Sequence, residues 1–259
     1  MVKKILSIVL WVITGAALVT LFVFGRKWYL DTPLQGVVFQ LDRHDTRGFV
    51  EKDTIIAYTE AICGIEHHAS IGSIDMMKIK RLLSENPWIE SSSAFISLND
   101  TLFIKAKEHS PVLRVYNNEG HSIYVTEDGN IIPSSPVFTP RLIIANGDFQ
   151  FPVSKDNANL NDTLYAQSGL SEALAIALAL RNDRFLNSNV GQIYKNKNNE
   201  YELMVNNLSA RVIIGDTIAV STKLSRLGTL LEKYSGTEAL KDYKTLDLRY
   251  KNQIVCTKK

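Results

Sequence analysis

Few side chains in this 259-residue chain stand at spacings that could do chemistry. Glu66, His67 and His68 come nearest to a metal-ligand set, but adjacent histidines on a loop do not readily turn onto one ion. No His-Glu-x-x-His pattern accompanies them. Gly120-His121-Ser122 lacks the second glycine of a nucleophile elbow and reads as a turn. Cys63 and Cys256 belong to different predicted units, so they read as two small half-buried thiols rather than as a disulfide or a thiolate pair. Carboxylates occur singly, at strand ends or in turns such as those of Asp128, Asp148 and Asp156. No phosphate loop, dinucleotide glycine pattern or kinase signature is present. The residues predict no catalytic centre, no metal and no cofactor, and the chain reads as non-enzymatic.

One short pattern recurs: Asp-Thr-aliphatic at Asp53-Thr54-Ile55, Asp100-Thr101-Leu102, Asp162-Thr163-Leu164 and Asp216-Thr217-Ile218. It is similar to the O-glycosylation acceptor of exported Bacteroidota proteins, in which the threonine carries the sugar. Asp and Thr also cap helices and start strands, and that is the reading adopted for Thr54. Thr163, in a polar stretch, is the candidate for modification.

With 45% hydrophobic and 22% charged residues, the chain has enough apolar material for one or two ordinary cores. A net charge of +2 gives no support to nucleic-acid binding. Ile5 to Phe24 is an uncharged apolar run that spans about 30 Å as a helix, the thickness of a bilayer core. Lys3 and Lys4 precede it, Arg26 and Lys27 follow it, and Trp28-Tyr29 suits the interface. Leu21-Phe22-Val23-Phe24-Gly25-Arg26 offers no small-residue cleavage site, so the segment reads as an uncleaved signal anchor. The expected organisation is a cytoplasmic tail at 1–4, the anchor at 5–24 and a linker at 25–33, with the remainder in the periplasm.

Beyond the linker, Leu34 to Leu41 reads as a strand and Ile55 to Cys63 as a helix, with Ile55, Thr59, Ile62 and Cys63 on one face. Ser73 is the expected cap of a second helix, whose Met76, Ile79, Leu82 and Leu83 recur at spacings of three and four. Pro87 stops that helix. Trp88 should open a strand and bury its ring against Ile79 and Leu83. Its partner strand alternates Leu102, Ile104 and Ala106 against Phe103, Lys105 and Lys107. The order over 34–110 is therefore strand, helix, helix, strand, strand.

From Pro111 the texture changes to short strands and turns: Val112–Tyr116, Ser122–Thr126, Arg141–Ala145, Gly191–Lys195, Glu200–Asn206 and Ser209–Ile214. Two helices interrupt them, Leu170–Arg181 and Lys223–Tyr234, and Val153 to Asn161 reads as a polar loop. A last strand is predicted from Thr245 to Val255, and the remaining Cys256–Lys259 is too short to cover it. The fold class is α+β: an anchor, a small mixed domain, then a mostly antiparallel β domain over 111–256 with a tail at 257–259.

The chain resembles the bacterial cell-division family FtsQ, called DivIB in Gram-positive bacteria, and most of all its Bacteroidota branch. The residues that carry the resemblance are Asn86-Pro87-Trp88-Ile89, Thr101-Leu102-Phe103-Ile104 and Glu108-His109-Ser110-Pro111-Val112, then Tyr124, Glu127-Asp128-Gly129 and Pro133. Lys223-Leu224-x-x-Leu227 and Leu246-Asp247-Leu248-Arg249-Tyr250 complete the series. The chain departs from the family at His109, where Arg is usual, and at Thr126, where Asp is common. The resemblance implies a POTRA domain over 34–110 and a non-enzymatic scaffold of the divisome at the septum, one that binds the FtsB–FtsL pair and helps control septal peptidoglycan synthesis. Partner binding is expected by strand addition at the last strand, through Asp247, Arg249, Tyr250, Lys251, Asn252, Gln253 and Ile254. Tyr250 would supply apolar area and Arg249 would meet a partner carboxylate. Other divisome proteins would use the POTRA domain. A POTRA-type secretion factor would call for a β-barrel or repeated POTRA units, and an envelope hydrolase for a nucleophile or metal cluster.

Overall fold

A computed structural model of the chain describes residues 2–43, 47–63, 69–152, 158–234 and 237–259. The predicted metal candidates Glu66, His67 and His68, and Asp156, lie outside them, as do the side chains of Thr59, Ile62 and Cys63. Two compact units divide the chain, Met1–Glu108 and His109–Lys259.

The first unit begins with α1 (Val2–Asp31), of which Lys4–Asp31 is long and apolar enough to cross a membrane. Every apolar side chain from Ile5 to Phe24 that is large is exposed, as suits a lipid-facing helix and no water-soluble one. Beyond it run β1 (Gly36–Asp42), α2 (Lys52–Cys63), α3 (Met76–Ser84), β2 (Ile89–Ile96) and β3 (Thr101–Glu108). The order anticipated from the periodicity is the order observed. In the sheet β3 is central, parallel to β1 and antiparallel to β2. Leu102, Ile104 and Ala106 are buried on the face that takes Ile79 and Leu83 of α3.

Two local expectations need correction. Ser73 ends a short 3-10 turn, and Asp75 caps α3 by accepting the Lys78 N–H at 2.9 Å. Trp88 is half-buried and precedes the strand, its N–H held by Asn86 Oδ1 at 3.0 Å, while Ile89 enters the core. Pro87 forces a tight turn, and that turn advances the inward position by one residue. Consequently Ile79→Ala should cost about 2–5 kcal/mol of stability, and Trp88→Ala less than a fully buried aromatic would. Urea unfolding of the two variants in parallel checks the order.

Glu108 has a role its sequence setting concealed. Its carboxylate is buried and accepts the Phe49 and Val50 N–H groups at 3.2 Å each, fixing the loop before α2.

Among the described residues, the second unit is one ten-stranded sheet with helices on one face. Its strands are β4 (Pro111–Tyr116), β5 (Ser122–Thr126), β6 (Asn130–Pro133), β7 (Ile143–Gly147), β8 (Ala158–Asn159), β9 (Val190–Lys195), β10 (Tyr201–Val205), β11 (Arg211–Gly215), β12 (Tyr243–Asp247) and β13 (Val255–Lys258). They lie in the order β13-β12-β11-β10-β9-β7-β4-β5-β6-β8. Most pairings are antiparallel, and β4–β7, β7–β9 and β11–β12 are parallel. The helices are α4 (Leu170–Arg181), α5 (Arg184–Asn189) and α6 (Val220–Lys233). The expectation of two helices missed α5, which is too short to show a period. Asp183 supports it by accepting the Phe185 and Leu186 N–H groups at 3.0 Å. Leu170, Leu174, Ala177, Leu224, Leu227 and Leu231 meet Leu113, Val115, Ile193, Leu203, Val212 and Leu246 in a single core.

The predicted loop at 153–161 is partly strand, because Ala158–Asn159 pairs with β6. Thr163 opens a 3-10 turn rather than lying in a loop, and is exposed together with Leu164. Thr126 serves the turn at Glu127-Asp128-Gly129 despite replacing the usual Asp, since its Oγ1 accepts the Asn130 N–H at 3.0 Å.

Candidate functional site

The structure overturns the single last strand predicted from Thr245 to Val255. The segment is a hairpin instead: β12 stops at Asp247, the chain turns over Arg249–Gln253, and β13 covers the outer side of β12. Residues 256–258 belong to that strand and are no tail.

Three interactions enforce the turn. Asn252 adopts φ 58°, a left-handed conformation that asparagine tolerates better than most side chains. Arg226, projecting from α6, donates to the carbonyls of Tyr250 at 2.9 Å, Gln253 at 3.0 Å and Leu248 at 3.3 Å. One guanidinium thus satisfies three carbonyls that the broken strand would leave unpaired. Arg249 folds back on its own strand: Nη2 donates to Asp247 Oδ2 at 2.7 Å, Nε to Oδ1 at 3.0 Å, and Nη1 to Glu200 Oε1 at 2.8 Å. Gly215 makes room for the arginine stem, since a Cβ there would lie 2.7 Å from Arg249 Cγ and Cδ.

These contacts reassign the predicted partner residues. Asp247 and Arg249 hold each other and are committed to the fold, so Arg249 is not the free cation expected to meet a partner carboxylate. Lys251, Asn252 and Gln253 form the exposed turn, and Ile254 is half-buried against the core. Tyr250 keeps the expected accessibility, with 48% of its surface open to solvent. Sequence inspection missed Arg226 and the strand Val255–Lys258. The one available signal was the polar run Lys251-Asn252-Gln253, which interrupts the alternation of Leu246 and Leu248.

Burial acts to raise the Asp247 carboxyl, but hydrogen bonds from Arg249 and the charges of Arg249 and Lys223 outweigh it and hold it below the usual range. Asp216 is lowered chiefly by its hydrogen bond from Lys223, whose Nζ also donates to the Ile214 and Asp216 carbonyls. A folded-state pKa below the unfolded value contributes stability above the unfolded pKa, and that contribution is lost as pH falls through the folded one. The hairpin should therefore loosen as pH falls through and below the ordinary carboxylate range. Melting temperature followed over that range should fall more steeply for the wild type than for Asp247→Asn, which lacks the titrating group.

Strand β13 ends the sheet order, and among the described residues no strand pairs with its outer side. The Lys259 N–H donates to Asp242 O at 3.0 Å, so the Tyr243–Lys258 pair between them is of the non-hydrogen-bonded kind. The Lys258 N–H and C=O hence point away from β12, and so do those of Cys256 two residues earlier. The Cys256 thiol is half-buried, and burial raises its pKa. Lys258 and Lys259 are exposed beside this edge, as is Lys251 in the turn.

A model of the C-terminal related domain of FtsQ/DivIB matches residues 110–257, which is nearly the whole second unit. The chain belongs to the FtsQ/DivIB family. Membership goes with a role in cell division and with proteins that act generally as division scaffolds rather than as enzymes. No curated protein gives a significant match. The matched span of this FtsQ/DivIB chain runs from β4 into β13, so the hairpin and its outer edge lie within it.

Proposed function

We propose that the chain is a bitopic, non-enzymatic divisome scaffold that holds an FtsB–FtsL pair by strand addition at β13 and so helps control septal peptidoglycan synthesis. The observation that carries this reading is the outer edge of β13, with which no strand pairs among the described residues and most of which lies in the span that matches FtsQ/DivIB. An edge with outward N–H and C=O groups invites pairing, and the lysines at 251, 258 and 259 discourage indiscriminate partners while favouring one flanked by acidic residues. Tyr250 would add apolar contact at the end of the docked strand.

In this reading α1 is the uncleaved anchor, its short N-terminal end in the cytoplasm and the bulk of the chain in the periplasm, concentrated at the septum. The 34–110 segment is a POTRA domain, supported by its strand-helix-helix-strand-strand order around a central β3. It would serve further divisome contacts. Thr163, exposed on its turn, is the modification candidate.

Pull-down of the full chain from crosslinked cells tests the assignment. FtsB-like and FtsL-like proteins should be recovered, and the recovery should fall when the β13 edge is blocked. Recovery of outer-membrane assembly factors in their place would favour a secretion role.

A further inference from the structure

On the sheet face away from the helices, strands β4, β7 and β9 run parallel side by side and carry a groove of about 820 Å³. That volume lies within the roughly 300–1,000 Å³ of small-molecule sites. Val115 pairs with Ala145, so Tyr116 lies level with Asn146, and Asn146 pairs with Tyr194. A tyrosine, an amide and a tyrosine therefore stand in one row, and in-register parallel strands point them to the same side. The two tyrosines are two strand spacings apart, about 10 Å. Ile144 and Gln192 form the next row and complete the floor.

The polar groups are fixed in place yet incompletely used. Gln192 Nε2 donates to Asn146 Oδ1 at 2.8 Å, and Asn118 Nδ2 donates to Asp148 Oδ1 at 2.9 Å. Among the described residues, no protein group meets the remaining Asn146 Nδ2, Gln192 Oε1, Asn118 Oδ1 and Asp148 Oδ2. One amide nitrogen and three acceptor oxygens are thus presented in a groove that the two tyrosines also line. Asp148 and Lys197, the charged groups that line the groove, balance each other. Arg114, level with Ile144, lies against one side of the Tyr116 ring at 4.9 Å from its centroid and donates to Ser122 Oγ at 3.1 Å, outside the lining. The groove itself therefore gives no advantage to an ionised ligand. Its strands are already paired on both sides, which leaves no backbone edge for a peptide to extend.

We infer that this groove binds an uncharged glycan segment of about three sugar rings. Sugar hydroxyls both donate and accept, and so match side-chain amides and a carboxylate. The apolar C–H face of a pyranose packs on the electron-rich face of an aromatic ring. The spacing of Tyr116 and Tyr194 is about two ring repeats of a glycan, so the first ring suits one tyrosine and the third ring the other. The site lies on a sheet face in the interior of the strand order, away from the β13 edge, so its occupancy is independent of strand addition there.

Saturation-transfer NMR on the full chain in a sugar-free detergent tests the site, with chitotetraose, maltotetraose and a tetramer of galacturonic acid as probes. At least one neutral tetramer should bind, with Kd on the order of 1 mM or tighter. Tyr194→Ala and Gln192→Ala should each weaken it at least tenfold, and Tyr250→Ala should leave it unchanged. Binding of chitotetraose alone would assign the source to an N-acetylated glycan, as in cell wall, and binding of maltotetraose alone to a glucan. No transfer to either neutral tetramer at 10 mM, roughly tenfold above the expected Kd, would overturn the proposal. So would stronger binding of the acidic tetramer, or undiminished binding by a Tyr116→Ala/Tyr194→Ala variant that melts like the wild type.

Discussion

On the proposed strand addition at β13, proline at Lys258 or at Cys256 should abolish binding of a periplasmic FtsB segment, weakening it at least 100-fold, while the domain stays folded. Both N–H groups point outward by the pairing pattern of β12 with β13, so proline removes no bond within the sheet. It does remove a donor that an added strand requires. Thr257→Pro is the internal control. Thr257 pairs with Thr245 at the alternate, hydrogen-bonded position, and its loss should open the hairpin itself. Calorimetric titration with the partner segment and circular dichroism of each variant separate the two outcomes. Side-chain changes should matter less: Lys258→Ala should lower only the salt-dependent part, because backbone pairing carries the affinity.

Gly147→Ala should destabilise the second unit by about 3 kcal/mol. Gly147 closes β7 at φ 106°, where side chains are strained, and a Cβ there would fall on the carbonyl oxygen of Lys195. That carbonyl cannot retreat, since it accepts the Asp148 N–H at 2.8 Å, and Lys195 is the register partner of Gly147 in β9. Alanine must therefore separate two central strands. The melting temperature of the unit should fall by about 6–12 °C, readable by differential scanning calorimetry. Gly120→Ala makes the comparison, because Gly120 also has a positive φ, 83°, but nothing lies within 4 Å of its Cβ position.

Elements whose residues repeat were legible in the sequence. Leu170 to Arg181 shows a helical period and is α4 with those bounds; Thr101 to Lys107 alternates and is β3 to within one residue. What could not be read depends on contacts that are remote in the chain. The alternation of Leu246, Asp247 and Leu248 continues on paper into Arg249 and Tyr250, and the polar run Lys251-Asn252-Gln253 that follows is the one local sign of a break. Arg226, more than twenty residues earlier, collects the carbonyls that make the turn favourable. In the same way Glu108 gives no hint in its strand that it will cap a loop near Phe49. The face groove is illegible for a further reason. Tyr116, Asn146 and Tyr194 meet only through the strand order β9-β7-β4, which sequence order does not disclose. The edge of the sheet differs from the sequence reading: residues 256–258, read there as too few to cover the last strand, belong to β13 and pair with β12.

Amide hydrogen exchange of the full chain, with and without the partner's periplasmic segment, tests the β13 edge most directly. In the free protein the Cys256 and Lys258 amides should exchange faster than those of Val255 and Thr257, which face β12. On binding, the Cys256 and Lys258 amides should become protected together. Protection confined to the first unit, with Cys256 and Lys258 exchanging at their free rates in a saturated complex, would contradict strand addition at β13.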